Sequence, residues 1–392
     1  MYFPLKRKEY GELRPGKFIR AEATKRAYSI QLSPCKQVTR THRGGVHSVK
    51  IEHIEQQYML SGGADGRIHV YDLNTTPEAD GTIRIKSLQG VTRQDRHQYA
   101  VTTLSWFPFD TGMFISSSFD KTIRVWDTNT MTPACTFHMD SRIYCQAISP
   151  IASHCLVASA ADEPRIRLCD LKSGADTHSL GGHAGSILSV AWSPREEHVL
   201  YSGGSDGTIR VWDIRRAAAC LRLLDQHNSD SSPLSDTNVA HGGGVNGFTF
   251  TGNGHYLVSL GLDEKIRLWD TFTLNNTLVN YGSLWRNQFR FYLQASISDT
   301  NVWPPLLYVP SDDHQVLVYE LHSGVLLRRL RGAYGRVTCA EYRPGYQELY
   351  VGSNDSEVLV WEPVNENDQE MVDNSTLGTF QDTWSDSEDE EQ

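Results

Sequence analysis

Three absences narrow the reading of this 392-residue chain. No stretch approaches the roughly 18 consecutive apolar residues of a membrane-crossing helix. No apolar h-region follows the basic start, so neither secretion nor membrane spanning is expected. No C-x-x-C pair occurs. The cysteines (Cys35, Cys135, Cys145, Cys155, Cys169, Cys220 and Cys339) stand singly, which offers neither zinc-site spacing nor a redox motif. Scattered thiols in odd number without a signal peptide point to a reducing compartment. The histidines are spread too widely to form a metal cluster, so no metal and no cofactor is expected.

What is present is unevenly charged. The formal net charge is −10, yet residues 1–26 are rich in Lys and Arg, and the last residues carry Asp382, Asp386, Glu388, Asp389, Glu390 and Glu391. Runs of this kind mark solvated or partner-binding ends. The net acidity argues against strong, phosphate-driven nucleic-acid binding. With 39% hydrophobic residues, the chain has ample material for a large core.

The dominant signal is a repeat. A strand of small residues, an Asp turn and an alternating strand ending in an aromatic and an acid recur as SGGADGRIHVYD from Ser61, SSSFDKTIRVWD from Ser116, SGGSDGTIRVWD from Ser202 and SLGLDEKIRLWD from Ser259. Anchored on Tyr71, Trp126, Cys169, Trp212, Trp269, Tyr319 and Trp361, the period runs from about 42 to about 57 residues, with insertions near 74–96, 226–240 and 283–304. In the clearest copy, residues 183–224, ILSVAWSP, HVLYSGG, TIRVWD and LRLL read as four short antiparallel strands, which is one propeller blade. Seven copies predict an all-β, seven-bladed β-propeller over 27–363, because an open ring would leave an edge strand exposed. The seventh copy lacks a fourth strand, and residues 27–33 are expected to supply it. That leaves an N-terminal arm, 1–26, with a short basic helix over 17–26, and a disordered acidic tail, 364–392.

These repeats resemble the WD-repeat family. The resemblance implies a buried hydrogen-bonded tetrad in each of three copies: His97, Ser116, Asp120, Trp126; His183, Ser202, Asp206, Trp212; and His241, Ser259, Asp263, Trp269. The first copy keeps His42, Ser61 and Asp65 but has Tyr71. The third has Cys169 and an added residue at Glu163-Pro164, the sixth ends in Tyr319-Glu320, and the seventh has Tyr334 in place of His; these blades are expected to be looser. A His, a Ser and an Asp together also invite a catalytic-triad reading. A triad, however, is one exposed site with an oxyanion hole, and a pattern repeated blade after blade favours structure; no catalytic residue is expected. His69, Arg124, Arg167, Arg210 and Arg267 read either as a basic ring or, better, as stems covering the next blade.

Three features exceed a plain propeller. Trp212-Asp213-Ile214-Arg215 is similar to the W-D-x-R box of propellers that dock on the damage-specific DNA-binding adaptor of cullin-RING ubiquitin ligases, and reads otherwise as a surface salt bridge. The arm, with Phe18, Ile19, Arg20, Ala23 and Arg26, reads as a helix for a partner groove or as disorder. The tail presents Phe380 and Trp384, with Ser385 and Ser387 as acid-flanked phosphorylation candidates, and reads otherwise as a solubilising segment. With LCDLKSG (168–174), LDQHN (224–228) and NTLVNYG (276–282), these features are similar to the Cockayne syndrome group A type of receptor. That resemblance implies a substrate receptor of a cullin-RING ligase in transcription-coupled nucleotide excision repair, nuclear or both nuclear and cytoplasmic. Its implied partners are the large subunit of the adaptor with cullin and RING subunits, the Cockayne syndrome group B translocase, and RNA polymerase II with repair factors. Arg215, with Trp212 and Asp213 positioning it, and the arm would hold the adaptor. The rival reading is a ligase-independent scaffold or histone-tail reader, which would need a peptide in the central pore.

Overall fold

Alternating apolar residues in each repeat make strands whose two faces are both covered by neighbouring blades. The structure, a computed structural model, describes residues 15–364 apart from residues 80, 152, 217, 218, 230, 231 and 236. Seven four-stranded antiparallel sheets form the ring. Their inner strands are Val46–Ile51, Val101–Trp106, Ile143–Ile148, Ile187–Trp192, Val245–Phe250, Ser296–Ile297 and Val337–Arg343, which open blades 1 to 7. Blade 4 continues through Val199–Gly204 and Ile209–Asp213 to the outer strand Cys220–Leu223. The core lies between blades: Ile209, Val211 and Tyr201 of blade 4 pack with Val245, Phe248 and Trp269 of blade 5. Gly207 turns blade 4 at φ +76°, and a Cβ there would meet the His241 carbonyl oxygen at 2.3 Å; glycine is the residue that fits both demands.

The helix α1 spans Pro15–Tyr28, with Pro15 at its first position and Lys25 and Arg26 in its last turn, where cations suit the helix dipole. It runs two residues past the arm boundary expected at 26. The backbone N–H and hydroxyl of Ser29 both donate to the Arg26 carbonyl, and the chain then becomes extended. The strand beside blade 7 is therefore Ile30–Leu32, shorter than the expected 27–33, and it pairs antiparallel with Val358–Pro363. The buried face of α1 coincides with the expected one, Phe18, Ile19 and Ala23, only in part. Ala23 and Ala27 pack against blades 6 and 7, while Ile19 is 55% exposed. The small residues allow the helix backbone close to the ring, and a long side chain at those positions would lift it away.

A buried charge cluster fastens blade 7 to blade 1. Arg343, 1% exposed, donates to the Gln56 carbonyl at 2.8 Å, Asn74 Oδ1 at 2.7 Å and Glu348 Oε2 at 3.1 Å. Lys36 and Tyr350 complete the shell of Glu348. Blades 3 and 6 are well packed where looseness was expected: Cys169 and Tyr319 are fully buried. The Tyr319 hydroxyl nevertheless finds no partner among the described residues. The expected acidic tail, with Phe380, Trp384, Ser385 and Ser387, lies outside the described residues.

Candidate functional site

Strands one and three of each blade run in the same direction, so the turns that follow them open on one face of the ring, the exit face. The connections into strand one and the turns between strands two and three lie on the opposite, entry face.

The repeated His, Ser, Asp and Trp residues meet inside each blade. In blade 2 the Trp126 Nε1–H donates to Ser116 Oγ at 2.7 Å, which lies 2.7 Å from His97 Nε2, and His97 Nδ1 is 2.8 Å from Asp120. Blade 4 repeats this with Trp212, Ser202, His183 and Asp206 at 2.7, 2.8 and 3.2 Å, and blade 5 with Trp269, Ser259, His241 and Asp263 at 2.8, 2.7 and 2.9 Å. In blade 1 Tyr71 takes the place of the Trp with the direction reversed: Ser61 Oγ donates to its hydroxyl at 3.4 Å. Burial pushes the Asp65, Asp120, Asp206 and Asp263 carboxyls up. The hydrogen bonds from the histidines, joined by backbone N–H groups, a threonine hydroxyl or Arg267, outweigh it and hold them well below the usual carboxylate range. Burial pushes His97 and His241 down, so they stay neutral. Each serine is inaccessible, and its oxygen is already committed to an indole or phenol. The arrangement sets the turn and offers no attacking group.

The strand-three cations do not form a free basic ring. Arg124 donates to the Asp95 carbonyl, Arg167 pairs with Asp140 and Glu163, and Arg267 with Asp263 and Gln226. Arg210 reaches only Cys220 Sγ and His69 meets Ser87 Oγ, so these two find no acid among the described residues.

The W-D-x-R box occupies the exit face of blade 4. Trp212 is buried and fixes the strand end; Asp213, 2% exposed, follows it. Arg215 forks onto Asp213 through Nε at 3.0 Å and Nη2 at 2.9 Å, with its side chain 62% exposed. The Arg215 hydrogen bond holds the Asp213 carboxyl below the usual range despite burial. The result is a guanidinium of fixed direction that keeps donors toward solvent. The α1 helix lies on the same face. Phe18 is half-buried; Arg20 and Arg26 are exposed, and Arg26 donates to the Tyr346 carbonyl at 3.2 Å. Trp303, held by its backbone N–H on Thr24 Oγ1, is 68% exposed beside it. Box and helix thus share a face but stand blades apart, with no contact between them.

Sequence reasoning missed the centre of the ring. The 283–304 insertion runs into the channel ahead of a sixth inner strand only two residues long. Phe291 packs edge-on against His47 of blade 1 and beside Phe119 of blade 2. Tyr292 reaches the Cys145 and Val190 cluster of blades 3 and 4. Gln294 spans to blades 1 and 7, donating to the Val49 carbonyl and Glu341 Oε2 and accepting from Ser48. These side chains divide the channel into two cavities. The only sequence signal was the length of the insertion and its aromatics.

Comparison with known proteins follows the same division between blades. The family described as "WD domain, G-beta repeat" matches residues 33–72, 89–127, 174–213 and 233–270, the copies whose hydrogen-bonded sets are described above. The chain is 35% identical to the WD repeat-containing protein ATCSA-1 of Arabidopsis thaliana, over 98% of this chain and all of that one. It is 25% identical to Radiation-sensitive protein 28 of Saccharomyces cerevisiae over 60% of this chain and 51% of that one. It is 31% identical to the Ribosome biogenesis protein WDR12 homolog of Chlamydomonas reinhardtii over 45% and 38%. The narrower expectation from the sequence, the Cockayne syndrome group A protein itself, is corrected by these matches. The full-length relative is a plant protein at 35% identity, and others are ribosome-biogenesis proteins sharing the repeats. Repeats and short shared stretches weigh heavily in a reading by eye, and they carry a family rather than an individual identity.

Proposed function

This chain belongs to the WD-repeat family, and we propose that it is a non-catalytic substrate-recognition subunit of a cullin-RING E3 ubiquitin ligase, acting in the nucleus in transcription-coupled nucleotide excision repair. The observation that carries the reading is the exit face. An oriented, solvent-facing Arg215 on blade 4, and an arm helix with exposed Ile19 beside exposed Trp303, lie on the same face and offer two anchor points to one docking partner. The ligase adaptor, with its cullin and RING subunits, occupies that face. The opposite face is left to present targets: the group B translocase, stalled RNA polymerase II and repair factors. The protein performs no chemistry; it raises the local concentration of target lysines near the loaded conjugating enzyme. A relative named for radiation sensitivity fits a role in damage response. The rival reading as a ligase-independent scaffold or histone-tail reader, with a peptide in the central pore, meets a channel crossed by Tyr292 and Gln294, which leaves separate cavities rather than a continuous passage.

The test is affinity purification of the intact chain from nuclear extract beside Arg215→Ala. Alanine is preferred to charge reversal because a Glu would face the buried Asp213, whereas after truncation Asp213 keeps Arg216 at 3.4 Å. Stoichiometric adaptor and cullin with the wild type, reduced about tenfold or more in the variant as for an exposed binding hot spot, is the expected result, with thermal unfolding unchanged. Adaptor retained at wild-type level would remove the box from the interface. A profile of ribosome-assembly factors without adaptor would replace the ligase reading.

A further inference from the structure

The entry face carries a second surface, on the side opposite the one assigned to the adaptor. Phe119, Tyr144 and Phe291 converge at the channel mouth, with ring centroids 5.6 Å apart for Phe119 and Phe291 and 5.9 Å for Phe119 and Tyr144. They floor a cavity of about 560 Å³. Tyr99, 62% exposed, forms one wall. Lys121, Arg142 and Arg290 stand around it, all exposed. Lys121 donates to the Asp140 carbonyl and Arg290 to Ser186 Oγ, but among the described residues no carboxylate is within ion-pair distance of any of the three. The neighbouring acids are engaged or set apart. Asp140 pairs with Arg167, and Asp162, exposed, lies near Arg142 and Tyr144 without an ion pair. Elsewhere on this face Arg286 pairs with Glu264 and Arg336 with Asp312, but among the described residues Arg43, Arg67 and Lys265 stand singly and without an aromatic floor. What sets this pocket apart is three cations gathered around such a floor. Lys121 sits at φ +68° in the strand two–three turn, the position held by glycine in blades 1 and 4 and by Glu264 in blade 5.

We propose that this pocket is a docking site for an acidic peptide segment of a partner protein, with one aromatic side chain seated on the Phe119–Tyr144–Phe291 floor and flanking carboxylates on Lys121, Arg142 and Arg290. Charge complementarity selects the occupant. Three unanswered cations around an apolar floor fit a short acidic stretch with an anchor. A long nucleic-acid strand would instead run beyond the pocket onto a chain of net charge −10. The chain's own acidic end, outside the described residues, is the competing occupant: tighter binding of the labelled peptide by a full chain carrying Trp384→Ala would assign the pocket to it and overturn the partner assignment. The proposal rests on the receptor reading for its purpose, since the bound peptide would belong to a target, but not for its test.

The experiment is fluorescence anisotropy on the purified full chain with a labelled peptide of Asp and Glu around one Trp. Saturable binding is expected, weakening with salt and with Trp→Ala in the peptide. The Arg142→Glu, Arg290→Glu double variant should lose about tenfold or more in affinity. Tyr99→Ala should lose less, and Arg215→Ala nothing. Circular dichroism checks that these exposed substitutions leave the fold intact. Unchanged affinity in the double variant overturns the site. A single-stranded deoxythymidine oligomer that binds more tightly and displaces the peptide overturns the peptide assignment. Because Arg215 and the adaptor take no part in the assay, either failure is separate from failure of the ligase reading.

Discussion

Ser202 shows how one set of side chains can carry the donor order of a hydrolase triad and yet be structural. The indole N–H of Trp212 donates to Ser202 Oγ, the hydroxyl then donates to His183 Nε2, and His183 Nδ1–H points to Asp206. This order fits the neutral Nδ1–H tautomer. In a hydrolase the serine oxygen faces an open site with an oxyanion hole; here it is sealed and already accepts the indole. The hydroxyl is therefore the joint between a buried donor and a buried acceptor. Ser202→Ala leaves both unpaired, at a cost of about 1–3 kcal/mol each. The expected outcome is a lower denaturant midpoint with an unchanged slope and undiminished adaptor capture at limiting temperature. A midpoint equal to wild type would mean that the relay contributes nothing to the blade.

At the scale of elements, what the sequence revealed follows period. Blades were legible because each strand alternates against two neighbours and each turn Asp must meet its His, so spacing carries the geometry. The segment 286–295 has no period to read. Its residues are set by what lies across the channel, on blades 1, 2, 3, 4 and 7, far away in sequence. The helix α1 was legible in position and only partly in face: Ala23 was among the apolar residues read there, but Ala27 buries little apolar area and gave no signal, while Ile19 looked the stronger anchor. The entry-face pocket was invisible for the same reason as the channel segment: Arg290 and Phe291 meet Tyr99, Lys121 and Arg142 only through the ring. If the channel segment braces the ring, its polar strut is Gln294, 2% exposed, which satisfies the Val49 carbonyl at 2.6 Å and Glu341 at 2.7 Å. Gln294→Ala leaves the carbonyl unpaired and Glu341 dependent on Lys50 at 3.0 Å, a loss of about 1–3 kcal/mol. Urea unfolding reads it directly; an unshifted midpoint would make the segment a passenger rather than a brace.

For the whole molecule, two electrostatic effects oppose each other as pH falls from neutrality. The net charge of −10 shrinks in magnitude, which relieves self-repulsion and by itself favours the compact state. Against it stand histidines that must stay neutral to remain buried. Burial, with Arg336 and His42 nearby, pushes His47 down to about 4. Burial with His42 and Arg67, against the pull of Asp65, pushes His69 down to about 4. His97, between Asp120 and Arg124, and His241, between Asp263 and Arg267, are also pushed down by burial. In the unfolded chain these groups take up protons near the ordinary histidine value, about 6.5. Below that pH the unfolded state binds more protons than the folded one, so stability falls as pH falls, from about 6.5 down through the lowered folded values. The depressed tetrad carboxyls add a second loss only below about 4, the ordinary carboxylate value. The histidines should decide the upper window. Repulsion between exposed charges is screened over about 8 Å at physiological ionic strength, whereas buried groups are screened much less. The melting temperature should accordingly be flat between about pH 7 and 8 and fall steadily below about 6.5, with little dependence on added salt. A melting temperature that instead rises toward pH 6, and does so less in high salt, would show surface repulsion to be the larger effect.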